Sequence, residues 1–173
     1  MCALHAQPKG GGPPATLISD VKGSYNQVKG LLTRAADEMP DAGYAFQPTP
    51  EERNFGGWVA HVADAQASSC GAVTGMPKQL GATAKTTKAE LVAVLKESFD
   101  MCDAAYDGIT EANMNDPIQG FRGATPRLAA LYGNLIHDNE CYGSMAVYLR
   151  LQKLVPPSSQ GRGGGAGKGK AKQ

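Results

Sequence analysis

Four times along this chain, apolar residues recur at three- and four-residue steps over roughly six turns, the period of a helix with one buried face. The first run spans about Thr16 to Met39. Leu17, Val21, Tyr25, Val28, Leu31, Leu32 and Ala35 lie on one side of it, and Pro40 is its stop. The second covers roughly Asn54 to Val73. Ahead of it, Thr49-Pro50-Glu51-Glu52 combines a cap, a first-turn proline and a glutamate three after the threonine. The glycine pair Gly56-Gly57 separates that turn from a main helix starting near Asn54 or Phe55, in which Trp58, His61, Val62, Ala65 and Ser69 share a face.

The third run begins at a second capping box, Thr87 with Glu90, and continues to about Asp107 through Leu91, Val94, Leu95, Phe99, Cys102 and Tyr106; Gly108 closes it. The fourth is expected to start at Thr125-Pro126 and to reach Lys153, with Pro156 barring continuation. Leu128, Leu131, Leu135, Tyr142, Met145 and Leu149 form its stripe. No segment alternates with a period of two for long enough to read as a strand. Helices with one stripe each can bury those stripes only against one another, so the expected fold is an all-α four-helix bundle. The stretches around 73–86 and 108–124 exceed ordinary bundle turns, and such long connections permit a crossover topology.

The bundle is expected over residues 16–155. Residues 1–15, rich in glycine and proline, read as a flexible arm, and residues 156–173, ending GRGGGAGKGKAKQ, as a disordered Gly/Lys-rich tail. The chain has 17 basic and 16 acidic residues, and the tail holds four of the bases and no acid. The body is therefore slightly acidic, which disfavours nucleic acid as a partner. No apolar run is long enough for a membrane helix. Met1 to Ala6 is too short for a signal peptide but reads like the end of one. The expected location is the cytoplasm, with export as the alternative. The four cysteines, Cys2, Cys70, Cys102 and Cys141, form no CxxC pair and no disulfide pattern, so Cys70 and Cys102 read as buried small apolar residues.

Two of the three histidines, His61 and His137, sit inside long helices, and Cys141 follows His137 by four residues. Donors at i and i+4 project from one helical face, and a third from a facing helix completes a three-point cradle for a metal ion. By spacing alone, a mid-helix histidine is more often a hydrogen-bonded core residue than a ligand. Asp64 and Glu140, each three residues after a histidine, are either partners behind the ligands that orient the imidazoles or solvated helix-face charges.

The stretch Pro48-Thr49-Pro50-Glu51-Glu52-Arg53-Asn54-Phe55-Gly56-Gly57-Trp58-Val59-Ala60-His61-Val62-Ala63-Asp64 resembles the second-helix region of the DinB/YfiT-like superfamily. The stretch His137-Asp138-Asn139-Glu140-Cys141-Tyr142-Gly143, with Tyr148-Leu149-Arg150-Leu151 and Val155-Pro156-Pro157-Ser158-Ser159 after it, resembles that superfamily's fourth helix and exit. The resemblance covers roughly residues 16–159. It implies a four-helix bundle of unusual helix order, often a homodimer. It also implies a divalent metal held by three histidines, one on the second helix and two at i, i+4 on the fourth. His61 and His137 match two of these positions, and Cys141 stands at the third. Two imidazoles and a thiolate suit zinc, with nickel or manganese as alternatives. The implied activity is a metal-dependent S-transferase using a low-molecular-weight thiol, or a hydrolase. The alternative is a non-catalytic, stress-related metal- or ligand-binding bundle, which the departure at Cys141 favours.

Overall fold

The computed structural model describes residues 15–120 and 123–161; the expected N-terminal arm and most of the expected tail lie outside this range. Four long helices dominate: α1 (Leu17–Glu38), α2 (Phe55–Thr74), α3 (Lys88–Asp107) and α4 (Arg127–Leu151). Local chemistry fixes most of their ends. Thr16 and Ser19 form a reciprocal capping box on α1, and Thr87 and Glu90 form one on α3. The Asn54 side chain accepts from Gly57 N–H to start α2, so Thr49–Glu52 is a separate turn. Gly75 ends α2 in the left-handed region (φ 71°), and Met76 N–H donates back to Gly71 O.

The start of α4 differs from the sequence reading. Thr125 lies in a strand and does not cap the helix. The first N–H groups of α4 find loop acceptors instead, Arg127 on Asp116 O and Leu128 on Met114 O. Strands were not expected, yet β1 (Pro117–Gly120) and β2 (Gly123–Pro126) pair antiparallel within the α3–α4 connection. Four residues each are too few for alternation to register in the sequence.

The helices form a ring in which α1 and α2 each pack on both α3 and α4. Contacts give their directions. Phe55 meets Tyr148, Gln66 meets Asp138, and Arg127 donates to Val73 O, so α2 and α4 are antiparallel. Tyr25 bonds Asp103 while Lys88 reaches Asp37 O, so α1 and α3 are antiparallel. Gly56 faces Leu91 and Cys70 faces Cys102, so α2 and α3 are parallel neighbours. The bundle therefore runs up, down, down, up. To enter α3 in the same direction as α2, the chain must travel back about 30 Å, the length of α2. Residues 75–87 make that journey as a strap along α2, where Asp64 accepts from Ala82 N–H at 3.0 Å and Thr83 N–H at 3.3 Å.

Two further features correct the sequence reading. Cys70 and Cys102, both fully buried, form a disulfide between α2 and α3 rather than standing as free thiols. Residues 156–160, assigned to the tail, pack on the bundle: Pro157 is buried, Ser158 N–H donates to Tyr142 Oη, and Gln160 Nε2 donates to Glu38.

The strap passes so close to α2 that a Cβ at Gly71 would lie 2.8 Å from Pro77 Cα. Backbone cannot rotate away as a side chain can. Gly71→Ala is expected to lower stability by about 1–3 kcal/mol, read as a lower denaturant midpoint at unchanged slope. Gly133→Ala, where a Cβ meets nothing within 4 Å, is the control and should stabilise α4 by roughly 0.5–1 kcal/mol.

Candidate metal centre

The antiparallel packing of α2 and α4 brings His61 opposite His137, and helical spacing sets Cys141 one turn further along α4. His61 Nε2 and His137 Nε2 lie 3.0 Å apart, and Cys141 Sγ lies 3.6 Å from His137 Nε2. One donor atom from each of the three residues falls within 4.8 Å of the other two. Tetrahedral zinc with N and S ligands separates its donors by roughly 3.3–3.6 Å. The donor types suit such an ion, and two of the three separations, 3.0 and 3.6 Å, lie near those values, the third being no more than 4.8 Å. The sulfur is buried at 2% exposure, whereas the His137 side chain is 33% exposed. The cluster is closed on the sulfur side and open to solvent on the imidazole side.

The two imidazoles sit in opposite electrostatic surroundings. His61 is held below the usual histidine pKa, first by burial, then by the Arg53 guanidinium and by His137. Arg53 stacks over the Trp58 ring at 4.9 Å, and Trp58 meets His61 edge-on at 6.0 Å. His137 is pushed up to about 10, chiefly by the Asp138 carboxylate and then by Cys141, against the effect of burial. Without a metal, a proton on His137 Nε2 is placed to be shared with His61 Nε2.

Neither expected outer residue hydrogen-bonds an imidazole, although the charge of Asp64 acts on His61, raising its pKa against the larger opposing effects. Asp64 spends both carboxylate oxygens on the strap, and Glu140 is exposed, its backbone carbonyl accepting from Ser144 Oγ. The carboxylate beside the site is Asp138, 1% exposed, with Oδ1 3.6 Å from His137 Nδ1. Burial raises its pKa; the neighbouring His137, Gln66 and Asn134 pull the other way. The sequence carried a sign of it. The α4 stripe 128, 131, 135, 142, 145, 149 skips one step, and Asp138 occupies the gap. A cleft of about 300 Å³ between α1 and α3, lined by Lys22, Lys29, Asp103 and Asp107 among others, shares no residue with the cluster.

A sequence profile of the DinB superfamily matches residues 24–144. The fold is similar to that of a DinB-like protein from Bacillus cereus, with TM-score 0.68 and 16% identity over 79% of this chain and 93% of that one. It is also similar to a DinB-like protein from Bacillus subtilis (TM-score 0.63, 13% identity, 78% and 92% covered). A conserved protein from Enterococcus faecalis is comparable (TM-score 0.63, 14% identity, 80% and 98% covered). No curated protein matches the chain. At these identities the solved structures bear on the fold, and the profile, which spans most of the chain, bears on ancestry: the chain belongs to the DinB superfamily.

Proposed function

We propose that this protein binds one divalent metal ion, zinc before nickel or manganese, through His61, His137 and Cys141. We further propose that it uses the ion for S-transfer from a low-molecular-weight thiol or for hydrolysis. The observation that carries this reading is the convergence of three donor atoms from two helices within 4.8 Å of one another. Bound zinc would supply Lewis acidity, lowering the pKa of a thiol or water at its open position. The chain's own part is to hold the ion from the buried side with Cys141, leave the imidazole side accessible, and set the Arg53 cation beside it.

A non-catalytic metal-binding bundle is the second reading. It is favoured by Cys141 itself, whose resident thiolate would weaken the pull of the ion on an incoming sulfur. Conjugation of a common thiol to an electrophile, lost on chelation, separates the two. Nucleic acid is not the partner we favour, because the body is slightly acidic. A second copy of the chain is, because Tyr132, Ile136, Val147 and Leu151 leave an apolar stripe exposed on α4. Among the described residues, no helix is long and apolar enough to cross a membrane. The buried Cys70–Cys102 disulfide favours export to an oxidising compartment over the cytoplasm.

The purified protein is expected to hold close to one zinc per chain by elemental analysis. Its affinity should depend on pH. The pKa of His137 is raised, so up to about 10 the metal-free site holds a proton that must leave before Nε2 can ligate. Protons therefore compete with the ion at low pH. The apparent affinity is expected to rise at least about tenfold per unit between roughly pH 6 and 8. A chain that takes up no zinc, nickel or manganese, or one whose affinity is flat with pH, contradicts the proposal.

A further inference from the structure

Asp138 is a carboxylate buried to 1% exposure in the core of the bundle, where an unsupported charge is costly. Its surroundings are specific. Gln66 Nε2 of α2 donates to Oδ2 at 3.3 Å, and Asn134 Nδ2, one turn earlier on α4, donates to the same oxygen at 3.2 Å. Gln66 is itself in contact with α3, its Oε1 lying 3.3 Å from Ser98 Oγ, whose single proton it shares with Leu95 O at 2.7 Å. Three helices thus fix the orientation of one carboxylate. The other oxygen, Oδ1, is buried and has no hydrogen-bond partner. It faces His137 Nδ1 at 3.6 Å, just beyond hydrogen-bond length, while Nε2 of the same ring lies 3.0 Å from His61 Nε2 and Cys141 Sγ lies 3.6 Å from Nε2 and 3.9 Å from Nδ1.

We propose that Asp138 is the positioning residue of the metal centre: its free oxygen accepts Nδ1–H of His137, fixing the tautomer that leaves Nε2 to the ion. The role rests on the metal-binding reading above, but the approach of Oδ1 to Nδ1, 3.6 Å, is present without metal. Gln66, Asn134 and Ser98 act one step further out by aiming the carboxylate. An imidazole held this way is oriented before the ion arrives and is a stronger donor, which is the reason such outer partners matter to affinity.

The test uses Asp138→Asn in the full chain, with zinc affinity measured by chelator competition and ¹⁵N NMR of the imidazoles in the metal-free protein. The expected result is a loss of about ten- to a hundredfold in zinc affinity. In the NMR arm, the wild type shows a slowly exchanging Nδ1–H on His137 that the variant loses. Substituting cobalt gives a third readout, a shifted visible spectrum in the variant, which a merely structural role would not produce. If Asp138→Asn fails to fold, Asn134→Leu keeps the carboxylate but removes one of its two amides, and a loss of several-fold is expected. Unchanged affinity with an unchanged Nδ1–H signal overturns the proposal while leaving the metal site intact. A wild type that shows the Nδ1–H signal but takes up no metal instead sinks the metal-binding reading and leaves the pairing as a structural one.

Discussion

His61→Ala and His137→Ala are each expected to leave the protein essentially without zinc after dialysis, while the helical content is unchanged. Structural zinc contributes roughly 10–16 kcal/mol over four donors, so one donor is worth about 3 kcal/mol, a hundredfold or more in affinity. Neither ring is fully buried, so truncation opens no large cavity, and both variants should fold. The two need not be equal. His137 has lone-pair neighbours on both sides, Cys141 and Asp138, whereas His61 reaches the cluster alone from α2. Losing His61 would leave the ion on α4 only, and residual binding should then depend most steeply on Cys141. The double variant His61→Ala/Cys141→Ala is therefore expected to bind no ion measurably. Calorimetric titration with zinc reads all three. Retention of one equivalent by either single histidine variant would assign the ion to other residues.

The second large effect is on stability. Joining Cys70 to Cys102 closes a loop with a sequence separation of 32 residues. In the chain-entropy account this restricts the unfolded state by roughly 3–4 kcal/mol. Cys70→Ala/Cys102→Ala is expected to lower the melting temperature by roughly 10 °C for a domain of this size. Reductant should do the same to the wild type and nothing to the variant. The denatured, unreduced wild type should also show two fewer titratable thiols than the reduced one. Equal thiol counts before and after reduction would remove the disulfide and, with it, the argument for an oxidising compartment.

Why one cysteine pair escaped sequence reading and another donor pair did not is a matter of where the information lies. His137 and Cys141 are neighbours on one helix, so their proximity follows from the helical repeat alone. Cys70 and Cys102 meet only because α2 and α3 are adjacent and parallel, a fact of global topology that no local pattern encodes. The ends of α3 were readable from Thr87 with Glu90 and from Gly108, since caps act within a few residues. At α4 the same logic misplaced the cap, because the acceptors for its first N–H groups come from Asp116 and Met114, about ten residues or more upstream. Asp64 and Glu140 were picked as helical neighbours of the histidines. The carboxylate that faces an imidazole is instead Asp138, one residue away, because burial of the α4 stripe turns it inward while Glu140 faces water.

The parallel placement of α2 and α3 has a consequence for how the chain reaches this state. A bundle of successive hairpins can zip up from its turns, each helix docking on the one just made. Here the diagonal pairs α1/α2 and α3/α4 share little surface, so no helix docks broadly on its immediate predecessor except across the long strap. Loop-closure entropy must be met before most of the core forms, and the mean sequence separation of contacts is higher than in an up-and-down bundle of equal length. Such a chain folds more slowly than its helical content suggests. The strap-joined pair α2/α3 is the one consecutive pair that can dock early, and its α2 carries His61, Gln66 and Cys70.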